Sequence, residues 1–516
     1  MGIREYFERL LHDTPDNANA IEYEHNWWTW GKLRSCTNML EKSLAEAGIK
    51  SPARIGLILE NRPEHVATLL KLLATSRTTV MLNALQPVTR LIEDIQRLDI
   101  KILIGSTTLF ANENLLNVII KNTLIFKLNH LGEPNLIGGK ADVNTIGNLD
   151  IAVEIPTSGT TGIPKHITLS YEQLDKALTS SGQIPKDNQL LTESVSLIAM
   201  PIVHISGLWG TLSALYTGRK MVLMPKFILE PWIEALERHK IRATFLVPTA
   251  LHDLLNSNIA PERINLLKII TSGSTYCPPV LIEQLFIRYG IRVLMTYGAT
   301  EFAGAIAGWN YELHEKWWHL KSGSAGKAYP DIKLCITNEF GTELPAGQIG
   351  HLEVHTGLYM SGDENKWTRT NDLAHIDSDG FLWISGRRDN IIIRGGFKIQ
   401  PEKIQHLLET HSSVKEAAVI AIPDSRLNSV PAAAIEIYPK QPIPTVAELV
   451  ELCRRELLPY EVPKHLFIVG ALPRTPSSKI NRTELLSLIF NSLSPLSDSK
   501  EIFNHEFITK NSNTID

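Results

Sequence analysis

A run of small hydroxylated residues followed by a lysine is the stretch of this sequence best suited to chemistry. It reads PTSGTTGIPK and spans residues 156–165. Gly159 and Gly162 let the backbone come close to a ligand, and Lys165 adds a mobile positive charge. Hydroxyl donors are supplied by Thr157, Ser158, Thr160 and Thr161. N–H groups, hydroxyls and a cation together predict a cradle for an anion, with phosphate as the natural candidate.

This loop is not a Walker phosphate loop. That motif has Gly directly before the lysine and Ser or Thr directly after it, whereas Lys165 lies between Pro164 and His166. Taken alone, the same residues are also compatible with a surface turn rich in Gly and Thr. The function of the loop therefore depends on what the rest of the chain places around it.

Short apolar strands separated by helix-length segments must position this loop. Helical patterns occur at residues 64–74 and 88–97, between predicted strands. Such alternation predicts parallel sheets covered by helices on both faces, with ligands bound at the carboxyl ends of the strands. ITSGST and MTYGATE are two such strand ends. The predicted strands are RIGLIL (54–59), TTVML (78–82), KILIG (101–105), SLIAMP (196–201), KMVLMP (220–225), ATFLVP (243–248), LKIITSG (267–273) and RVLMTYG (292–298).

The pattern changes in the second half of the chain. Residues 332–384 carry short strands with turn signals at 338–341 and 379–380, which predict antiparallel hairpins or a small barrel. A compact α/β segment follows GRRDN, and the last residues are rich in Ser and Asn. We therefore predict an α/β protein with a large N-terminal domain of two doubly wound sheets plus a small β-barrel. The predicted boundaries are 1–388 for this domain, 389–490 for a small C-terminal α/β domain, and 491–516 for a loosely attached tail.

Composition excludes several classes of protein. A chain of 516 residues is too long for one core, and a net charge of −4 argues against nucleic-acid binding by bulk electrostatics. The four cysteines lie far apart without metal-ligand spacing, which favours a reducing, cytoplasmic location. The start, MGIREYFERLL, lacks the apolar core of a signal peptide, and the most apolar region, 195–224, is interrupted by Pro, His and Gly. We expect no membrane span.

Five motifs in a fixed order identify a family resemblance. They are PTSGTTGIPK, PIVHISG, TYGATE, RTNDLAHIDSDGFLWISGRRDN and RTPSSKINR. Together they resemble the adenylate-forming superfamily, which contains acyl-CoA synthetases, peptide-synthetase adenylation domains and beetle luciferases. The resemblance extends from about residue 20 to residue 486.

The resemblance implies an ATP site. The hydroxyl loop is expected to hold the β- and γ-phosphates, which leave as pyrophosphate. Tyr297 is expected to stack on adenine, with the backbone of Gly273 and Ser274 along the adenine edge. Asp372 is expected to bind the ribose hydroxyls, assisted by Arg387. The residues assigned to ATP in this way are Thr157, Ser158, Gly159, Thr160, Thr161, Gly162, Lys165, Gly273, Ser274, Tyr297, Gly298, Asp372 and Arg387.

The resemblance also implies the catalytic residues. Thr300 is expected to contact the α-phosphate, and Glu301 to hold Mg²⁺, a hard ion that prefers carboxylate oxygens. Lys479 is expected to reach in from a mobile C-terminal domain and neutralise charge on the α-phosphate. Asp389 is the expected hinge. His204 either gates the acyl pocket or is a satisfied interior histidine.

The lack of an acidic residue in one motif narrows the class of acyl substrate. Residues 201–210, PIVHISGLWG, contain no acid that could pair with an α-ammonium group, and a buried ammonium without a partner is costly. An α-amino acid is therefore disfavoured, while aryl and aliphatic carboxylates both remain open. The expected pocket residues are Ile205, Gly207, Ser272, Ala299, Phe302, Ala303 and Gly304.

Four positions depart from the family pattern: His166, Asn371 and Ser478 replace glycines, and Asn390 replaces an acid. None removes a charged catalytic group, so they bear on ATP affinity and turnover more than on reaction type. The expected reaction converts a carboxylic acid and Mg-ATP to an acyl-adenylate, which then acylates CoA. Alternatives are transfer to a carrier-protein phosphopantetheine or an amine, a degenerate nucleotide-binding protein without turnover, and, more distantly, a luciferase-like oxygenase.

Overall fold

The structure is a computed structural model that describes most of the chain. The described residues are 2–139, 147–157, 165–185, 189–356, 367–394, 397–424, 426–439, 441–475, 479–493 and 507–508. The chain divides into two compact units, Met1–Lys333 with His355–Lys366, and Leu334–Val354 with Trp367–Asp516. The predicted boundary at residues 388/389 lies inside the second unit and stays a prediction.

The first unit contains a sheet whose strand order is β7-β6-β5-β3-β4-β8-β9. Its central strands pair in parallel, and β7 and β9 pair antiparallel at the edges. The elements of this region are α1 (Ile3–Asp13), β1 (Asn19–Tyr23), β2 (Asn26–Thr29), α2 (Trp30–Glu46), β3 (Arg54–Leu59), α3 (Pro63–Ala74), β4 (Thr78–Asn83), α4 (Val88–Arg97), β5 (Ile102–Ser106), α5 (Glu113–Ile119), β6 (Leu124–Leu128), β7 (Pro134–Gly138), β8 (Ile151–Thr157), β9 (Lys165–Ser170) and α6 (Tyr171–Ser180).

Strand β3 shows why these segments are continuously apolar. Ile55 and Leu57 are buried in one hydrophobic cluster, whereas Ile58 is buried in a second cluster on the opposite face. A strand covered on both faces needs apolar residues at odd and even positions alike. Helix α6 starts after β9 because Ser170 caps it: Gln173 N donates to Ser170 Oγ at 3.1 Å, and Ser170 N donates to Gln173 Oε1 at 2.9 Å.

Two further sheets complete the first unit. Their orders are β10-β11-β1-β2 and β12-β13-β14-β15-β16, with β12, β13 and β14 parallel. The elements are β10 (Val195–Ile198), α7 (Ile205–Tyr216), β11 (Lys220–Leu223), α8 (Leu229–His239), β12 (Ala243–Phe245), α9 (Pro248–Leu255), β13 (Ile269–Ser272), α10 (Pro279–Tyr289), β14 (Arg292–Ala299), β15 (Gly304–Gly308), α11 (Tyr311–Lys321) and β16 (Lys327–Ala328).

The second unit has an antiparallel sheet followed by a mixed sheet. The first has the order β17-β18-β19-β20; the second has the order β22-β21-β24-β25-β26, with β23 also paired to β24. Ala417 and Val419 of β23 lie in one core cluster and Ala418 and Ile420 in another, so this sheet too is covered on both faces. The elements are β17 (Lys333–Thr337), β18 (Gly350–His355), β19 (Thr368–Ile376), β20 (Leu382–Arg387), β21 (Ile392–Arg394), β22 (Phe397–Ile399), α12 (Pro401–Leu408), β23 (Val414–Asp424), β24 (Asn428–Ile437), α13 (Val446–Glu456), β25 (His465–Val469), α14 (Arg482–Leu493) and β26 (Phe507–Ile508).

This architecture confirms the predicted α/β fold class, with parallel sheets first, antiparallel strands next and a C-terminal α/β part. In the predicted tail, Phe507 and Ile508 pair with β25, and the attachment of the remaining tail residues stays a prediction. Across the described ranges, no helix has the length and apolarity that a bilayer crossing requires.

Candidate active site

The hydroxyl loop connects the two strands of a hairpin. Thr157, the last residue of β8, pairs with Lys165, the first residue of β9. Because β8 runs parallel to β4, the loop leaves the sheet at the carboxyl edge, where ligands bind in such sheets. Ser158, Gly159, Thr160, Thr161 and Gly162 lie outside the described residues, as do the side chains of Thr157 and Lys165.

The predicted adenine site lies at the carboxyl ends of two neighbouring parallel strands. Ser272 of β13 pairs with Met295 of β14, so Gly273 and Tyr297 lie just beyond this pair on adjacent strands. A Cβ on Gly273 would lie 2.7 Å from Thr296 Oγ1, so β14 approaches too closely for any side chain there. The structure therefore brings Gly273, Ser274 and Tyr297 together as the sequence predicts.

The TYGATE motif forms a tight connection between β14 and β15. Residues Thr300–Phe302 form a 3₁₀ turn in which Ala303 N donates to Thr300 O at 3.0 Å. Strand β15 passes so close that a Cβ on Gly298 would lie 2.0 Å from Gly304 O. Glu301 on this turn is exposed, and Mg²⁺ in nucleotide sites is bound by one or two carboxylates plus the substrate phosphates. The Glu301 carboxylate is therefore a suitable ligand for the Mg²⁺ that would accompany ATP.

Contacts within the first unit join these pieces. Strand β9, which begins at Lys165, packs against the Thr300–Phe302 turn. The strand that follows the phosphate loop and the turn that carries the expected α-phosphate and metal residues are therefore neighbours. Helix α7 packs against β15. His204 immediately precedes α7, and its backbone carbonyl accepts a hydrogen bond from Leu208 N at 2.9 Å, so His204 is the residue at the amino end of this helix.

Trp209 contacts one of the expected pocket residues, Gly304, and the sequence prediction did not name it. A Cβ on Gly304 would lie 3.0 Å from Trp209 Cδ1, so this indole ring links α7 to the β15 side of the expected acyl pocket. Its Nε1 atom is buried and has no hydrogen-bond partner among the described residues, and the same holds for Ser272 Oγ. The signal that was available is helical spacing, since Trp209 lies one turn after Ile205.

In the second unit, register brings the predicted ribose residues together. Asp372 of β19 pairs directly with Arg387 of β20, and Arg387 Nε lies 3.9 Å from Asp372 Oδ1. Thr370 Oγ1 accepts a hydrogen bond from Asp372 N at 3.0 Å, which fixes the local backbone. The two side chains are 21% and 44% exposed, so both are accessible to a ligand.

Lys479 lies in a small hairpin of the same unit. Thr475 N donates to Lys479 O at 2.7 Å, and Asn481 N donates to Pro473 O at 2.7 Å. Lys479 is exposed, and Ser478 before it lies outside the described residues. The proposed hinge Asp389 lies in the 3₁₀ turn Arg388–Asn390, and its side chain is also outside the description.

Comparison with known protein families identifies the family of this chain. The model of the AMP-binding enzyme family matches residues 7–362, and the model of the AMP-binding enzyme C-terminal domain matches residues 403–479. The chain belongs to the AMP-binding enzyme family. The predicted resemblance to adenylate-forming enzymes is thereby confirmed.

Individual relatives of this AMP-binding enzyme are acid–CoA ligases by name. The 2-succinylbenzoate–CoA ligase of Bacillus pumilus (strain SAFR-032) is 29% identical over 492 residues, 93% of this chain and 97% of that protein. The indoleacetate–CoA ligase of Aromatoleum aromaticum is 30% identical over 346 residues, 64% of this chain and 66% of that protein. The o-succinylbenzoate CoA synthetase of Bacillus subtilis, solved with its acyl-adenylate intermediate, has a TM-score of 0.76 at 25% identity, covering 93% of this chain and 97% of that one. The same enzyme was also solved with ATP and a magnesium ion.

The departure at Asn390 of this AMP-binding enzyme has a physical explanation. Its Nδ2 donates to Glu402 Oε1 at 2.8 Å, and its Oδ1 accepts a hydrogen bond from Arg482 Nη1. An amide can donate and accept at once, whereas an ionised aspartate only accepts and would repel Glu402. Asn390 thus connects the turn to α12 and α14.

The departure at His166 places an imidazole in a mixed charge cluster at the base of the phosphate hairpin. Burial lowers the pKa of His166 below its usual value, and Arg97 and Arg54 lower it further, while Glu154 and Asp94 oppose them. Neither ring nitrogen has a hydrogen-bond partner in the part of the chain that the structure describes. The lowered pKa therefore favours the neutral imidazole at pH 7.

We expect His166 to make the fold sensitive to acid. Because its folded-state pKa is depressed, the unfolded chain binds a proton that the folded chain does not, so stability falls as pH drops below about 6.5. His166→Gln should therefore lose less melting temperature than the parent between pH 7.5 and pH 5. Thermal melts across this range, with the exposed His12→Gln as the matched control, test it. Parallel Tm curves for His166→Gln and the parent would contradict the burial argument.

Proposed function

We propose that this AMP-binding enzyme is an acid–CoA ligase that forms AMP. A carboxylate attacks the α-phosphate of ATP, giving an acyl-adenylate and releasing pyrophosphate. The thiol of CoA then attacks the acyl carbon and AMP leaves. The observation that carries this proposal is the packing of β9, the strand that follows the expected phosphate loop, against the Thr300–Phe302 turn, which carries a carboxylate suited to Mg²⁺.

Each residue of the proposed site has a role that follows from its chemistry. The hydroxyl loop and Lys165 hold the leaving phosphates, and Thr300 holds the α-phosphate. Magnesium bound by Glu301 and the phosphates would supply positive charge to the leaving pyrophosphate. Asp372 and Arg387 bind the ribose, and Lys479 stabilises negative charge on the pentavalent α-phosphate.

CoA is the proposed acceptor because relatives aligned over nearly their full length are CoA ligases by name. A carrier protein or an amine in its place would leave the first half-reaction unchanged. The second half-reaction therefore decides between these acceptors.

An aryl carboxylate is the proposed substrate class. The acids in the names of the relatives, 2-succinylbenzoate and indoleacetate, both contain an aromatic ring. The expected pocket combines small residues with the indole of Trp209 against Gly304. Aromatic rings pack favourably face to edge or offset, so this surface suits a flat acyl group.

Pyrophosphate release tests the proposal directly. The enzyme is incubated with Mg-ATP and a panel of aryl, arylalkyl, dicarboxylic and fatty acids, with and without CoA, and the products are resolved by mass spectrometry. We expect pyrophosphate and a CoA thioester with at least one aryl acid, and loss of both in Glu301→Gln. Silence across the panel, with ATP still bound, would indicate a non-catalytic nucleotide-binding protein. An acyl-adenylate that reacts only with an amine or a carrier protein would overturn the CoA assignment.

A further inference from the structure

Two glutamates face each other across neighbouring strands of the C-terminal sheet. Glu416 of β23 pairs directly with Glu436 of β24 in antiparallel register. Glu436 is buried, and the Glu416 side chain is 24% exposed. Like charges directly opposite each other destabilise a sheet unless a cation lies between them.

Arg474 supplies that cation. Its Nη2 donates to Glu416 Oε2 and lies 3.9 Å from Glu436 Oε2. Two other donors share Glu436: Lys415 Nζ donates to Oε1 at 2.6 Å, and Leu472 N donates to Oε2 at 2.9 Å. The guanidinium therefore sits in a socket formed by two carboxylates on adjacent strands, which we call the glutamate socket (Glu416 and Glu436).

The same arginine begins the hairpin that carries Lys479. Arg474 forms an antiparallel bridge with Ile480, and inside this bridge Thr475 N donates to Lys479 O at 2.7 Å. The backbone of Lys479 is thus fixed by a hairpin whose first residue, Arg474, is five positions earlier and has its side chain in the glutamate socket. Lys479 is exposed, and the backbone at the base of the hairpin sets the point from which its side chain extends.

We propose that Arg474 is a positioning residue that, held in the glutamate socket, fixes the Lys479 hairpin in the geometry that adenylation requires. The role in adenylation rests on the proposed function, whereas the anchoring of the hairpin does not. A simpler role would be charge balance alone, in which Arg474 merely prevents repulsion between the two glutamates. These two roles predict different behaviour once one glutamate is neutralised.

A double variant separates the roles. Arg474→Met leaves Glu416 without its cation, while Lys415 still pairs with Glu436. We therefore expect a lower Tm and adenylation reduced by about 10- to 100-fold, as small misplacements of catalytic groups often cause. Arg474→Met combined with Glu416→Gln removes the repulsion, so Tm should recover while adenylation stays reduced. Thioester formation from a supplied acyl-adenylate should remain within about twofold of the parent, a split that general unfolding would not produce. Arg455→Met, an exposed arginine of α13, is the matched control.

Hydrogen exchange gives a readout that needs no substrate. The Thr475 amide, hydrogen-bonded to Lys479 O, should be protected in the parent and in Arg455→Met and lose protection in both Arg474→Met variants. Unchanged protection in Arg474→Met would overturn the proposal, whatever the activity. Recovery of adenylation in the double variant would reduce Arg474 to charge balance. If the parent activates none of the acids tested while protection falls as expected, the proposed function fails and the anchoring role stands.

Discussion

Lys479→Ala should lose almost all acyl-adenylate formation while CoA-thioester formation from a supplied acyl-adenylate stays close to that of the parent. Removing one preorganised charge at a developing negative centre typically costs on the order of 10²–10³ in rate. The side chain is exposed on the hairpin that Arg474 and Ile480 close, so its loss leaves no buried cavity. Pyrophosphate release and thioester formation, measured separately, give the two rates.

The matched control for this variant is Lys464→Ala. Lys464 belongs to the same unit, its side chain is 48% exposed, and it pairs with Asp424 at 2.8 Å, outside the RTPSSKINR motif. The Lys464→Ala variant should catalyse both half-reactions at the rates of the parent. If Lys479→Ala lowers both half-reactions equally, the lysine acts on the structure and has no special role in adenylation.

Asp389→Pro should produce the opposite split, slowing thioester formation much more than adenylation. The two half-reactions need different groups at one acyl centre, first Lys479 and then an open path for the thiol, so a swing of the C-terminal part is expected. Hinges are a few residues that absorb large φ/ψ changes. Proline fixes its own φ at about −65°. It also restricts the backbone of the preceding residue, which here is Arg388 of the 3₁₀ turn.

Asp389→Ala is the control, because alanine removes the carboxylate but keeps φ free. It should retain thioester formation better than Asp389→Pro at a comparable Tm. Parent rates for both half-reactions in the proline variant would exclude Asp389 as the hinge. Equal losses in the alanine and proline variants would show that the carboxylate, rather than the backbone torsion, matters.

Local elements of the fold are readable from the sequence because their causes are local. The predicted helix at 88–97 and the predicted strand at 54–59 have the same bounds as α4 and β3. The pairing of β1 with β11 has no such local signal, because it joins Ile21 to Met221 across two hundred residues. Strand partners that are far apart in sequence are set by tertiary packing, which hydrophobic periodicity does not encode.

The candidate site divides in the same way. Motif residues such as Tyr297, Asp372 and Arg387 are recognised through the family resemblance of their ordered motifs. Strand register places Asp372 and Arg387 opposite each other. Trp209 and Arg474 cannot be recognised in this way. Trp209 matters because it contacts Gly304, and Arg474 because it lies against Glu416 and Glu436, and only folding creates these contacts. The roles of individual site residues stay predictions, and the proposed measurements address them.

The hydrogen bonds of Asn390 locate the border of any moving part. Its amide donates to Glu402 of α12 and accepts from Arg482 of α14, so we expect residue 390 to move with those helices. In the proposed swing, the torsions that change therefore lie before it, at Arg388 and Asp389. Glu402 also touches the strand on the other side of that border, since a Cβ on Gly386 would lie 2.7 Å from Glu402 Oε2. Glu402 thus contacts both sides of the expected pivot. In the proposed swing, Glu402 keeps its hydrogen bond to Asn390 and loses its contact with Gly386.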